Sequence, residues 1–172
     1  MKRQILIVSD SHGLTKELEQ IKERHNVDAY IHCGDSELSN NHRALKNFTI
    51  VKGNCDGDAS FEHEEMIVIQ GVKFFITHGH LYNVKSHLIN LSYRAEEMDA
   101  KIICYGHSHI AGVQRIGDQI FINPGSIRYP RGRTEKTYAL MIFDESLQKV
   151  SITFYTLYGD IINSLYYETS LK

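Results

Sequence analysis

Five apolar runs of this chain each stop at a corner that carries Asp, Asn or His. The corners are Asp10-Ser11-His12, Gly34-Asp35, Gly53-Asn54-Cys55-Asp56, Thr77-His78-Gly79-His80 and Gly106-His107-Ser108-His109. In open α/β sheets the carboxyl ends of strands are where loops from several strands meet. Side chains far apart in sequence can therefore converge there. Asp and Asn offer hard oxygen and His offers imidazole nitrogen, the mixture that suits Mn, Fe, Zn or Ni. Asp10, His12, Asp35, Asn54, His78, His107 and His109 are too many ligands for one ion and about right for two.

The spacing between corners sets the fold class. Gln4–Ser9, Ala29–Cys33 and Thr49–Lys52 read as buried strands. Between them, Leu14–His25 is an amphipathic helix, with Leu14, Leu18 and Ile21 at helical spacing, and Ser39–Lys46 a short one. This alternation implies right-handed crossovers and a mainly parallel sheet. Glu65–Gln70 and Val72–Thr77 flank Gly71 as a hairpin. Val84–Ala100 reads as a long helix on the spacing of Leu88, Leu91, Ala95 and Met98, and Lys101–Tyr105 as the strand before the Gly106 corner. Val113–Ile116, Ile120–Asn123, Tyr138–Phe143 and Val150–Leu157 make the remainder β. The expected fold is one α/β domain over residues 1–172, with two mixed β-sheets packed as a sandwich and flanked by helices.

A formal net charge of -2 excludes a general nucleic-acid coat. No apolar stretch approaches the roughly 20 residues of a membrane span, and Ile5–Val8 is too short for a signal-peptide core. The three cysteines, Cys33, Cys55 and Cys104, form no C-x-x-C pair and no disulfide framework. The cytoplasm is the expected compartment. Of the ten histidines, five fall in the corners. His25, His32, His42, His63 and His87 match no motif and read as ordinary surface or packing residues.

The order D-x-H, G-D, G-N-x-D, H-G-H, G-H-x-H over residues 10–109 resembles the calcineurin-like metallophosphoesterase superfamily. The short length, the Asn123-Pro124-Gly125-Ser126 turn and the Cys in G-N-C-D resemble its small prokaryotic YfcE/YsnB-type phosphodiesterase branch. The resemblance implies the metallophosphoesterase fold, with Asp10, His12 and His109 on a first ion, Asn54, His78 and His107 on a second, and Asp35 bridging. It implies two divalent ions per chain, Mn2+ foremost, with Ni2+, Fe2+ or Zn2+ as alternatives. The implied activity is hydrolysis of small phosphodiesters by a hydroxide bridging the ions. Asn54, His78 and Cys55 are its catalytic candidates and His80 a substrate contact or support. Most of the superfamily has His where this chain has Cys55, which puts protonation of the leaving group by that residue in doubt. Asp56 is the alternative acid.

Other readings stand beside these. Asp10 or Ser11 suits the N-cap of the following helix, and the His78/His80 and His107/His109 pairs suit polar turns. Asp10 and His12, two apart on an extended segment, would face one ion; a bend would divide His107 from His109. Arg128 after the Asn123–Ser126 turn suits a substrate phosphate, and its alternative is a solvated loop. A phosphomonoesterase on the same site, or a retromer-like interaction scaffold without catalysis, are the competing functions. Tyr155, Tyr158, Tyr166 and Tyr167 offer a surface for a homo-oligomer.

Overall fold

The computed structural model describes residues 1–172. Strand β1 (Lys2–Val8), helix α1 (Lys16–Arg24), β2 (Ala29–His32) and β3 (Phe48–Ile50) come first. The hairpin β4 (Glu64–Ile69) and β5 (Val72–Thr77) follows, then α2 (Ile89–Glu97), β6 (Ile102–Cys104), β7 (Gly112–Ile116) and β8 (Gln119–Asn123). β9 (Thr137–Asp144), β10 (Lys149–Thr156) and β11 (Tyr167–Ser170) close the chain. They form two mixed sheets, in the orders β11-β10-β9-β1-β2-β3 and β4-β5-β6-β8-β7. The parallel core of each is built as the alternation implies: β1 pairs β2 and β2 pairs β3, while β5, β6 and β8 run parallel in the other sheet. The later strands make the first sheet mixed rather than mainly parallel, because β9 pairs antiparallel with β1.

Side-chain alternation along the strands explains why both faces of each sheet are apolar. Ile5 and Ile7 of β1 point between the sheets, where they share a core with Phe74, Ile76, Ile102, Cys104, Ile120 and Ile122 of the second sheet. Leu6 and Val8 point the other way, onto Leu18 and Ile21 of α1. Phe75, Ile103 and Phe121 cover the outer face of the second sheet and meet Leu91 and Ala95 of α2. Each such buried Ile, Leu or Phe stabilises the fold by roughly 1.5–3 kcal/mol. The order of layers is helix, sheet, sheet, helix. No helix is long and apolar enough to cross a membrane.

Two expected helices are shorter than their spacing suggests. Of Ser39–Lys46 only a 3₁₀ turn, Arg43–Leu45, forms. Ser39 Oγ instead donates to Asn41, and the backbone N–H of Asn40 to Asp58, local bonds that compete with helix. Of Val84–Ala100 only Ile89–Glu97 is α-helical. Val84 and Leu88 are buried as the period requires, but turns carry them there: Asn83 is left-handed (φ 54°), and the N–H groups of Ser86 and His87 both donate to its carbonyl.

Candidate metal centre

All five corners sit at carboxyl ends of strands and face one cleft between the sheets. The first sheet's corners are zipped together beyond the strands: Asp10 N–H donates to Gly34 O (3.0 Å), His12 N–H to Asp35 O (2.9 Å) and Gly13 N–H to Ser36 O (2.8 Å). Two contacts stitch the sheets across the cleft. His78 Nδ1–H donates to the Cys33 carbonyl at 2.7 Å, and the His107 N–H donates to Asp10 Oδ2 at 3.1 Å. Gly53 and Gly106 are demanded by this closeness: a Cβ on Gly53 would overlap the Asp35 carboxylate, and one on Gly106 would overlap Ser9 Oγ and Asp10 Oδ2.

The supports fix which imidazole nitrogen faces the cleft. A carbonyl only accepts, so Nδ1 of His78 carries the proton and Nε2 presents its lone pair. The same holds for His109, whose Nδ1 donates to Tyr129 O at 2.7 Å. His12 Nδ1 meets Glu37 Oε1 at 2.9 Å, turning its Nε2 inward too. All three Nε2 atoms surround Asp10 Oδ1, at 3.1 Å (His109), 3.8 Å (His12) and 3.8 Å (His78). That oxygen is buried and has no hydrogen-bond donor, whereas its partner Oδ2 accepts from Ser9 Oγ (2.5 Å) and the His107 N–H. A buried carboxylate oxygen ringed by imidazole lone pairs is an arrangement that a cation satisfies.

Three groups of donor atoms lie within 4.8 Å of one another: Asp10, His12 and His109; Asp10, Asp35 and His78; and His12, Asp35 and Cys55. Asp35 reaches both sides, with Oδ2 3.2 Å from His78 Nε2 and 4.0 Å from His12 Nε2, while Oδ1 accepts the Cys55 N–H at 2.8 Å. Asn54 Oδ1 lies 3.0 Å from His78 Nε2. His107 belongs to none of the three groups, and its ring centroid stands 5.1 Å from that of His78. The expected extended spacing is absent: Asp10, His12, His107 and His109 all have positive φ, so each pair sits on a tight bend. Asp10 and His12 still share a group, whereas of His107 and His109 only His109 joins one.

Charges in the cleft follow from this geometry. Burial would raise the Asp10 carboxyl, but His109, His78 and Ser9 outweigh it and hold it below the usual range. Asp35 is likewise held far down, by His78 and the Cys55 N–H against its own burial. Burial pulls the His78 imidazole down, and Asp35 and Asp10 more than restore it. His109 is raised by the Asp10 carboxylate beside it, against its own burial. His107 is pushed down to about 4 by burial, with His78 and Lys85 adding to it. Burial, then Asp35, pushes the Cys55 thiol up to about 11.

The remaining expected residues are placed as follows. His80 is half-buried between His78, His107 and His63, and its Nδ1 has no partner. Arg128 is no free loop residue: a guanidinium N–H donates to the His12 carbonyl, and the group lies 5.1 Å over the Tyr129 ring. Neither Asp10 nor Ser11 caps α1, whose N-cap is Thr15. Ser11 Oγ instead bonds His32 Nε2 at 2.8 Å, and the other nitrogen of this fully buried ring accepts the Gly34 N–H at 3.1 Å. His32 thus ties the first corner to the second, a role its apolar surroundings in sequence gave no sign of. Asp56 is a second such tie, accepting from the N–H groups of Asp35, Glu37 and Gly53.

A sandwich of two mixed sheets whose strand ends gather Asp, Asn and His around one cleft defines a phosphoric ester hydrolase of the metallophosphoesterase fold. The sequence profile of the calcineurin-like phosphoesterase superfamily domain matches residues 3–146, and the chain belongs to that superfamily. It is 46% identical over 163 residues to "Probable metallophosphoesterase YsnB" of Bacillus subtilis (strain 168), covering 94% of this chain and 95% of that one. A shorter match, 27% identical over 99 residues, covers 53% of this chain and 50% of "Phosphodiesterase YfcE" of Escherichia coli (strain K12). Among solved structures, a conserved protein of Streptococcus pneumoniae TIGR4 described as a "predicted phosphoesterase" superposes with a TM-score of 0.93 at 34% identity, covering 99% and 98% of the two chains. Vacuolar Protein Sorting 29 of Cryptosporidium parvum superposes with a TM-score of 0.79 at 19% identity over 98% of each chain, a likeness of fold alone.

Proposed function

We propose that this chain, as one domain, is a metal-dependent phosphodiesterase acting on small phosphodiesters at a dinuclear centre, with Mn2+ as its ion ahead of Ni2+, Fe2+ or Zn2+. The single observation that carries the reading is Asp10 Oδ1, buried, without a donor, and ringed by the Nε2 atoms of three histidines whose other nitrogens are already engaged. Asp10, His12 and His109 would hold the first ion, Asn54, His78 and His107 the second, and Asp35 both. When bound, such ions supply Lewis acidity, lowering the pKa of water and neutralising charge on the phosphoryl oxygens. The chain's own residues position the rest. Glu37, Cys33 O and Tyr129 O orient His12, His78 and His109, and the Cys55 N–H holds one oxygen of Asp35. Asn54, His78 and Cys55 line the reacting side, and His80 and Arg128 the substrate side, Arg128 through the guanidinium N–H groups its bond to His12 leaves over.

Cys55 directs the choice of diester. A neutral thiol is a weak donor, so a departing oxygen at Cys55 gains little from proton transfer, and acidic leaving groups such as aryl alcohols are favoured. Cys33 and Cys104 are buried free thiols, in keeping with a reducing cytoplasmic compartment. The phosphomonoesterase and scaffold readings are separated by one experiment. Metal-stripped protein is assayed with each divalent ion against aryl diesters, aryl monoesters and cyclic nucleotides. Diester hydrolysis should vanish on chelation and return with Mn2+, and the loaded protein should hold two ions per chain. Asp35→Asn should lose both binding and turnover, and His78→Ala and His107→Ala most of the turnover. Hydrolysis indifferent to metal and to these substitutions, or a metal content that stays at zero, would defeat the proposal.

A further inference from the structure

A groove of about 470 Å³ opens beside the ligand corners, and none of the roles above uses it. One wall is the segment that runs into the start of α2, with Val84, Lys85, Leu88 and Ile89; the other carries Ile110, just after the Gly106 corner, and Ile116 of β7. Both walls grow out of ligand corners. Val84 packs against Gly79, between His78 and His80, and Ile110 follows His109 directly. The groove therefore borders the second-sheet corners, with Ser108, between His107 and His109, in its lining.

The lining is mixed in a way that a ligand would use. Six of the eleven lining residues are apolar, and Ile89 and Ile110 are 54% and 53% exposed although they flank a concavity. Lys85 is exposed and has no carboxylate within ion-pair distance. A concave site of 300–1,000 Å³ with an apolar lining and a few polar groups is the usual form of a small-molecule pocket. An apolar interior beside corners that would hold a phosphoryl group matches an organic phosphate: negative at one end, apolar at the other. Cys55 clusters with His12 and Asp35 on the first sheet, whereas the groove is lined by Ser108, beside His107, on the second. With the departing oxygen at Cys55, the groove lies on the side of the group that stays on phosphorus.

We propose that this groove is a subsite for the retained ester group of the diester, an apolar planar group such as an aryl ring or a nucleobase. The inference rests on the phosphodiesterase reading. It is tested with two esters that release the same p-nitrophenolate, bis(p-nitrophenyl) phosphate and methyl p-nitrophenyl phosphate, on Mn2+-loaded protein. KM for the bis ester should be about tenfold the lower. The double variant Ile89→Ser, Ile110→Ser changes two exposed side chains outside the ligand set. It should raise KM for the bis ester about tenfold while leaving the methyl ester within twofold. A parallel change for both esters, or none, would overturn the subsite. If neither ester is hydrolysed, the catalytic reading fails. Calorimetric titration with phenylphosphonate and methylphosphonate then decides the groove separately: phenylphosphonate bound about tenfold more weakly by the variant upholds it, and equal binding rejects it.

Discussion

Asp56→Asn separates two roles open to this carboxylate, acid and tie. Asp56 is 7% exposed; Oδ2 accepts the N–H groups of Asp35 (2.9 Å) and Gly53 (2.7 Å), and Oδ1 that of Glu37 (2.8 Å). All three donors are backbone groups, so the side chain is engaged as an acceptor only. Asn has one acceptor oxygen. In its better orientation the amide keeps the two bonds of Oδ2 and sets its NH2 against the Glu37 N–H; reversed, it loses two bonds. A hydrogen bond to a charged group contributes about 1.5–3 kcal/mol, and bonds that survive become neutral and weaker. The expected loss is roughly 2–4 kcal/mol, which for a chain of this length lowers Tm by about 5–15 °C. Because the lost bond to Glu37 and the weakened bonds to Asp35 and Gly53 hold the turn that carries Asp35, metal affinity should fall about tenfold or more, the usual cost of removing an outer support. Urea unfolding measures the first effect and metal titration the second. A series of aryl diesters at saturating Mn2+ should then show the same dependence on leaving-group pKa in variant and parent. Unchanged stability together with a steeper dependence would refute the reasoning and make Asp56 the acid.

Two further outcomes follow from single side chains. Cys55→Ala should cost little with aryl leaving groups, and Cys55→His should speed poor leaving groups selectively; a large loss in Cys55→Ala with a shallow leaving-group dependence in the parent would show that the thiol is the acid. Burial pushes His32 down to about 4, below its unfolded value near 6.5, so its contribution is complete above about pH 6.5 and is lost as pH falls toward 4, because only the unfolded chain takes the proton. The stability gap between metal-free parent and His32→Gln should narrow by roughly 2–3 kcal/mol between pH 7 and pH 4.5 in urea unfolding, and a gap that does not move would show that the ring is not buried neutral.

The layers of the fold are legible in the sequence where burial on both faces writes a continuous apolar run. Ile5–Val8, Phe74–Ile76 and Ile102–Cys104 are of this kind. β11 is hidden because its residues, Tyr167–Ser170, lie on a half-exposed edge, where composition carries little signal. Helix period misleads at Val84–Leu88 because turns can bury the same apolar side chains. At the site, the candidate donors are marked in the sequence by type and by their place at strand ends, while their supports are not. Cys33 O and Tyr129 O are carbonyls that any residue would supply, and His32 sits inside a strand where imidazole looks like packing. Glu37 stands two residues after Asp35 with no motif to mark it.

The backbone of the corners gives a physical reason for their residue types. Asp10, His12, Asp35, His107 and His109 have φ of 53°, 42°, 58°, 69° and 59°. Left-handed geometry costs an L-residue roughly 1–2 kcal/mol, so five such residues together cost about as much as the net stability of a typical domain. Glycine would remove that cost and the donor atom with it. Asp, Asn and His are several-fold enriched among the non-glycine residues that adopt positive φ, and they are also the residues that offer oxygen or imidazole to a cation. A strand end that must turn sharply and present a ligand is thus restricted to the same three residue types from both directions. The strain is held by bonds that lead from one corner to another: Asp10 N–H to Gly34 O, His12 N–H to Asp35 O, Ser126 Oγ–H to Asp10 O. Corners so tied cannot relax singly, which keeps Asp10 Oδ1 among three imidazoles rather than at the surface.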